Sequence, residues 1–170
     1  MMTKSPLHRD LLNINDAILA VIALVGAEAQ RNRVLLRTEL SNDLPLVLGD
    51  RIQLQQVILN LIMNAIEAMR GNDQTQRKVL VVSRKDDESK GALVEVQDLG
   101  AGLEGLALNR LFDAFYTTKP DGMGIGLAVS RTIIESHGGQ LWASPNVPKG
   151  AVFQFRLPTN DEGRLPSTQM

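Results

Sequence analysis

Two asparagines spaced four residues apart could bind a metal ion. Asn60 and Asn64 fall within an apolar 3.6-residue repeat, so a helix would carry both amides on one face, at the edge of its buried stripe. An amide oxygen there could complete the coordination of a Mg²⁺ held mainly by phosphate oxygens, because Mg²⁺ often takes only one or two protein ligands in such sites. A polar helix face is more often simply solvated, so the pair alone leaves both interpretations open.

A second segment could recognise a purine base. Asp98 ends a β-type run and is followed by Gly100 and Gly102. A carboxylate there can accept a hydrogen bond from the exocyclic amine of adenine, whereas guanine has an acceptor at that position, and glycines let the backbone approach a flat base. The glycines at 100, 102 and 105 also spell GxGxxG, but the segment 116–121 is not the second strand that a dinucleotide-binding unit requires. Asp-x-Gly is also a common turn, so this motif is weak alone.

Two further segments could bind phosphate. In 115–119, two hydroxyls and a lysine follow Phe115 and could donate to phosphate oxygens, although aromatic residues near a helix end are usually core. In 122–126, glycines alternate at a helix start, where free backbone N–H groups favour an anion, although a plain flexible turn has the same composition. No GxxxxGK[ST] phosphate loop occurs.

The elements that must position these segments follow from periodicity and punctuation. Helices are predicted from Asn13 or Asn15 to about 32, from 50 to about 70, and from the glycines at 122–126 to Gly138, with a short helical stretch at 106–112. Strands are predicted at 34–40, 46–48, 78–84, 92–97, 140–143 and 151–157. Because helices and strands do not alternate strictly, we expect an α/β two-layer sandwich: a mixed, mostly antiparallel sheet with about three helices on one face.

Composition narrows the class of protein. The 170 residues suit about one domain and include no cysteine, which excludes disulfides, zinc–thiolate sites and cysteine nucleophiles. The formal charge of −1 argues against nucleic-acid binding. No segment is long and apolar enough for a membrane span, and the N-terminus lacks the pattern of a signal peptide, so we expect a cytoplasmic domain without membrane contact.

The four segments in this order resemble the N, G1, F and G2 boxes of the catalytic, ATP-binding domain of sensor histidine kinases. These belong to the GHKL superfamily, whose ATP-binding architecture is the Bergerat fold, shared with gyrase and MutL-type repair ATPases. The resemblance covers about 12–158, and the segments 60–69 and 115–119 look like those of the oxygen- and nitrogen-sensing kinases. It implies ATP and Mg²⁺ as cofactors.

The resemblance also implies a role for each matching residue. Asp98 would receive the adenine amine, and Asn64 with Asn60 would hold Mg²⁺ and serve catalysis together with Lys119. The remaining ATP-binding positions would be Gly100, Gly102, Leu103, Phe115, Thr117, Thr118, Gly122, Gly124, Ile125, Gly126 and Leu127.

Some positions depart from the family pattern. The hydrolytic relatives carry a general-base Glu four residues before the metal-binding Asn, where this chain has Asn60; an amide cannot take a proton, so phosphoryl transfer is favoured over hydrolysis. Glu67 lies one turn beyond Asn64 and is a weak alternative as a base. Leu99 stands at a position that is usually small or polar, Met123 replaces a frequent hydroxyl residue, and Ala151 stands where the last strand often carries Thr. These departures concern nucleotide affinity rather than fold.

The expected phosphoacceptor is missing from this sequence. His8 has almost no helix before it, and His137 precedes a Gly138–Gly139 helix stop, so both suit structural roles better. We therefore expect the catalytic half of a larger kinase: 1–10 as the remnant of an upstream linker or helix, 11–158 as the ATP-binding domain and 159–170 as a disordered tail.

The expected partners are a histidine-bearing dimerisation domain of the same kinase and a response regulator, and the isolated domain should be monomeric. A GHKL-type ATPase and a nucleotide-gated binding or serine-kinase module remain the alternatives.

Overall fold

The computed structural model describes residues 9–71, 77–100 and 125–159, and its elements agree closely with the predicted ones. The order is β1 (Asp10–Leu12), α1 (Ile14–Arg31), β2 (Leu35–Leu40), β3 (Val47–Gly49), α2 (Arg51–Ala68), β4 (Lys78–Lys85), β5 (Ala92–Asp98), α3 (Ile125–Ser136), β6 (Gln140–Pro145) and β7 (Ala151–Leu157). The sequence did not predict β1. The predicted helix at 106–112 lies outside the described residues.

Side-chain caps fix where the first two helices begin. The Asn13 side chain accepts a hydrogen bond from the Asn15 backbone N–H, and Asp50 Oδ1 accepts one from the Gln53 N–H at 3.1 Å. Each cap satisfies a donor that the first helical turn would otherwise leave unpaired. Asn13 rather than Asn15 is therefore the cap of α1, while the Asn15 amide nitrogen donates to the Ser41 carbonyl at 2.7 Å.

Five strands form the main sheet in the order β2-β4-β5-β7-β6. Only the β2–β4 pair is parallel; β4–β5, β5–β7 and β7–β6 are antiparallel. The parallel pair is possible because α2 and the intervening chain connect the two strands as a crossover. The predicted mixed, mostly antiparallel sheet is thus confirmed.

The core lies between one face of this sheet and the three helices. Val94 and Phe155 are fully buried on neighbouring strands and belong to the same core cluster as Ile58 of α2 and Ile134 of α3. Burying each such side chain contributes about 1.5–3 kcal/mol relative to leaving it in water, which explains why the predicted apolar stripes face inward. The α/β two-layer sandwich is confirmed.

A small ribbon completes the fold. β1 pairs antiparallel with β3, and Leu12 and Val47 lie opposite each other with their side chains buried. The ribbon leads directly into the Asp50 cap of α2. Among the described residues, no helix combines the length and apolar character needed to cross a membrane.

Candidate functional site

The carboxylate of Asp98 is held at the end of β5. The residue is 1 % exposed, and its Oδ1 accepts hydrogen bonds from the backbone N–H of Gly100 at 2.8 Å and of Ala151 at 3.3 Å. Both of these donors belong to the backbone, so they help to fix the carboxylate at the strand end. The sequence correctly placed Asp98 at a strand end, beside glycines.

The turn between β6 and β7 supports Asp98 from the other side. The Asn146 amide nitrogen donates to the Asp98 carbonyl at 2.8 Å. Gly150 has φ +104°, and a Cβ there would lie 1.9 Å from that same carbonyl oxygen, so only glycine fits. Sequence analysis missed both residues, although the Lys149-Gly150 pair before a strand is a turn signal.

Gly100 brings this strand end against the last turn of α2. A Cβ at Gly100 would lie 2.6 Å from the Ala68 carbonyl oxygen and 2.9 Å from the Ala68 Cβ. Real Cβ contacts are not that short, so glycine is needed here for a close approach of the two backbones. Gly100 thus has a packing role against α2, while its role in shaping a base pocket stays a prediction.

The two asparagines lie on α2 as predicted, both half-buried and one turn apart. Asn60 Nδ2 donates to Ser130 Oγ at 3.1 Å and to the Gly126 carbonyl at 3.4 Å. Asn60 thus contacts the beginning of α3, while Ala68, two turns later, contacts Gly100. From Asn60 to Ala68 the helix rises about 12 Å, with Asn64 between them.

The first turn of α3 supplies backbone donors beside Asn60. The described part of α3 starts at Ile125, and the dipole of a helix favours an anion near its N-terminal end. Leu127 is partly buried and packs against the core. The predicted helix start at the glycine-rich segment is correct.

Several predicted site residues lie outside the described residues. They are Gly102, Leu103, Phe115, Thr117, Thr118, Lys119, Gly122 and Gly124, together with the departure at Met123. Their proposed roles remain predictions.

Glu67, the weak alternative for a base, pairs with a neighbouring cation. Its Oε2 lies 4.0 Å from Arg70 Nη1, one helical turn away and at the surface. Such an exposed pair contributes little to stability.

His137 has a structural role. It is buried directly after α3, where its Nε2 accepts from the Asp50 backbone N–H at 3.0 Å and its Nδ1 lies 2.8 Å from the Ile133 carbonyl. The carbonyl can only accept, so Nδ1 carries the proton and the ring is neutral. Burial lowers the pKa of His137, and the nearby Arg9 lowers it further, against the opposing effects of the Ile133 hydrogen bond and Asp50.

The residues present fit Mg²⁺ that arrives with a nucleotide. Among the described residues there is no group of three or more His, Asp or Glu side chains arranged to hold a metal ion. Asn60 and Asn64 offer amide oxygens, which are hard ligands of the kind Mg²⁺ prefers, and phosphate oxygens would have to supply the rest of its shell. The neighbouring first turn of α3 suits those phosphates.

Residues 49–161 match the family model described as histidine kinase-, DNA gyrase B- and HSP90-like ATPase. The chain is 47 % identical over 140 residues to the sensor protein FixL of Bradyrhizobium diazoefficiens, covering 82 % of this chain and 27 % of that protein. It is 38 % identical over 146 residues to the sensor protein TdiS of Thauera aromatica, covering 86 % of this chain and 27 % of that protein. The chain therefore spans about a quarter of the length of these relatives.

Solved structures show the same fold. The nucleotide-free catalytic domain of the histidine kinase ThkA superposes with a TM-score of 0.77 at 32 % identity, covering 90 % of this chain and 97 % of that one. Full-length ShkA in complex with AMPPNP gives a TM-score of 0.77 at 27 % identity, covering 91 % and 32 %. ThkA in complex with the response regulator TrrA gives a TM-score of 0.74 at 31 % identity, covering 92 % of this chain and 43 % of that one.

The chain therefore belongs to the histidine kinase-, DNA gyrase B- and HSP90-like ATPase family, as an ATP-binding catalytic domain of the sensor histidine kinase type. The resemblance drawn from the four motifs is confirmed.

Proposed function

We propose that this domain transfers the γ-phosphoryl group of Mg-ATP to a histidine on a dimerisation domain elsewhere in a longer parent kinase. The observation that carries the proposal is the arrangement along α2. Ala68 of α2 packs against Gly100, next to the buried carboxylate at the end of β5. Asn60 of the same helix contacts the first turn of α3. The two contacts are therefore about two helical turns apart along α2.

The base would bind at the Asp98 end. The fixed carboxylate would accept a hydrogen bond from the adenine amine, and guanine, which offers an acceptor there, would be repelled. Gly100, Gly102 and Leu103 would shape the pocket around the base. The ShkA complex with AMPPNP, at 27 % identity, supports an adenine nucleotide as the ligand.

The phosphates and Mg²⁺ would bind at the Asn60 end. The backbone of Gly122, Gly124, Ile125, Gly126 and Leu127 would face the phosphates, and Asn64 with Asn60 would hold the metal through amide oxygens. Mg²⁺, when bound, would neutralise charge on the phosphates. The remaining contacts would come from Phe115, Thr117, Thr118 and Lys119.

The residues favour transfer over hydrolysis. Asn60 stands where the hydrolytic relatives carry a general base, and its amide nitrogen is already used in bonds to Ser130 and Gly126. Catalysis would then consist of positioning the nucleotide and stabilising charge, while the acceptor histidine supplies the nucleophile.

A response regulator would take the phosphoryl group next, as the ThkA–TrrA complex suggests. We place the domain itself at 11–158, as a monomer in the cytoplasm.

The proposal is tested by incubating this chain with γ-labelled ATP, Mg²⁺ and the dimerisation domain of its parent kinase. Label should appear on that domain in an acid-labile, base-stable form typical of phosphohistidine, and its His→Ala variant should stay unlabelled. Acid-stable label would favour a serine kinase. Rapid phosphate release without the partner would favour a GHKL-type ATPase, and absent transfer despite ATP binding would count against the proposal.

A further inference from the structure

Ser130 lies against the Asn60 side chain inside the molecule. It occupies the second turn of α3, is fully buried, and its Oγ accepts from Asn60 Nδ2 at 3.1 Å. The same Nδ2 lies 3.4 Å from the Gly126 carbonyl oxygen. Nδ2 carries two hydrogens, so the two acceptors on α3 can use both of them.

These two acceptors decide which way the Asn60 amide faces. A hydroxyl such as that of Ser130 could serve either end of the amide, but the Gly126 carbonyl can only accept. If the amide flipped, its oxygen would face that carbonyl and the repulsion would disfavour this orientation. The observed pairing therefore turns Asn60 Oδ1 away from α3, because the oxygen and the nitrogen of a planar amide point in different directions.

We propose that Ser130 is a positioning residue that presents the Asn60 amide oxygen to Mg²⁺. The inference rests on the proposed function. Ser130 touches neither metal nor nucleotide; it acts by holding Asn60 in one rotamer and one amide orientation. The contact also joins the middle of α2, where Asn60 lies, to the first turns of α3, which would face the phosphates.

The hydrogen bond is tested in the nucleotide-free chain by NMR of the Asn60 side-chain amide, assigned by its loss in Asn60→Asp. In Ser130→Ala the two amide protons should shift toward random-coil values and exchange faster with water. Thr132→Ala is the matched control, because it removes an exposed hydroxyl two residues away on the same helix. Unchanged Asn60 signals in Ser130→Ala would overturn the proposal.

The positioning role is tested by ATP affinity with Mg²⁺ and with EDTA. Ser130→Ala should weaken Mg²⁺-dependent ATP binding about 3- to 10-fold, as expected for loss of one hydrogen bond, and leave Mg²⁺-free binding within about twofold. In an Asn60→Ala background the same substitution should add no further loss. The positioning role would be overturned if Ser130→Ala reduced ATP affinity equally with Asn60 and with Ala at position 60. It would also be overturned if the reduction were equal with and without Mg²⁺.

Two further measurements keep the test decisive. If Ser130→Ala does not fold, Ser130→Cys keeps a slightly larger side chain of the same shape while weakening the acceptor, and the same shifts and losses are expected to a smaller degree. If the unsubstituted chain binds no ATP, the proposed function itself is wrong. If it binds ATP normally and Ser130→Ala behaves like Thr132→Ala, only the positioning role is wrong.

Discussion

The backbone N–H of Asp50, the residue that caps α2, donates to Nε2 of His137, the residue that follows α3, at 3.0 Å. Gly49 permits this contact, because a Cβ there would lie 3.1 Å from His137 Cδ2 and 2.7 Å from Leu54 Cδ1. The beginning of α2, which carries the two asparagines, is thus joined to the end of α3.

His137 should make folding stability depend on pH. Its pKa is lowered in the folded state, mainly by burial, so above its ordinary pKa both states hold a neutral ring and stability is full. Below that value the unfolded chain takes up a proton that the folded chain resists, and the free energy of unfolding falls. Protonation would also replace the acceptor at Nε2 by a donor facing the Asp50 N–H.

The measurement is urea unfolding from about pH 7.5 to about pH 5.5 in a His8→Gln background, where His137 is the only histidine. At the upper pH, the variant with both His8→Gln and His137→Gln should be less stable than the variant with His8→Gln alone. On acidification it should lose less stability than the latter. Parallel pH profiles for the two proteins would contradict the assignment. Arg9 and Asp50, the charged groups acting on the ring, stay unchanged in both proteins.

Replacing Asp98 by Asn should separate binding from folding. Asn retains an Oδ1 that can accept from Gly100 and Ala151, so the thermal midpoint should change little. Its amide nitrogen, however, cannot accept from the adenine amine, and the charge-assisted bond is lost. ATP affinity measured by calorimetry should fall at least about 10-fold.

Asp87→Asn is the matched control for Asp98→Asn. Asp87 is exposed in the turn between β4 and β5, so the substitution makes the same change in net charge away from the site. ATP affinity should be unaltered there. Equal affinities for all three proteins would refute the assignment of Asp98 to the base.

Replacement by alanine should lower the free energy of unfolding at Gly100 and raise it at Gly126. At Gly100 a methyl would lie 2.6 Å from the Ala68 carbonyl, so either α2 or the strand end must shift, at a cost of about 1–3 kcal/mol. At Gly126 the methyl would lie 3.9 Å from Asn60 Cγ, an ordinary contact, and alanine favours a helix by about 0.5–1 kcal/mol over glycine. Denaturant unfolding compares the two, and similar stability changes would contradict the packing described at Gly100.

Local patterns predicted the helices, most strands and the individual site residues. The apolar repeat placed Asn60 and Asn64 on one helix face, and the strand pattern placed Asp98 at a strand end. β1 and β3 are each three residues long, too short to show a period of two; β3 was predicted from its apolar run, and β1 was missed. The expectation that the four segments form one site came from their resemblance to a family, because no local pattern shows which distant segments meet in the fold.

Contacts between distant segments could not be predicted from the sequence. Asn146 and Asp98 are 48 residues apart, and Asn60 and Ser130 are 70 apart. Neither Asn146 nor Ser130 stands in a pattern that indicates its partner, because the pairing depends on how the sheet and helices pack. His137 is similar: its helix-stop context suggested a structural role, but its bond to Asp50 required the folded arrangement.

Ala151 offers a test by gain of function. Its backbone N–H donates to Asp98 Oδ1 at 3.3 Å, and the β5–β7 register, which pairs Gln97 with Val152, makes Ala151 the cross-strand neighbour of Asp98. Cross-strand neighbours have Cβ atoms about 5 Å apart on the same face of the sheet. A threonine there would bring a hydroxyl beside the carboxylate, where it could donate to Asp98 or, through water, reach the base.

Ala151→Thr should therefore strengthen ATP binding about 2- to 10-fold, the range expected for one added hydrogen bond. Ala151→Val is the matched control, because valine has nearly the same shape without the hydroxyl, and it should bind ATP no better than the unsubstituted chain. Ala151 is 4 % exposed, so both substitutions carry the same steric cost, and the valine variant reports that cost in thermal unfolding. If valine raised the affinity as much as threonine, the gain would come from packing rather than from the hydroxyl. If threonine gave no gain over valine, a hydroxyl at position 151 would make no polar contact that strengthens nucleotide binding.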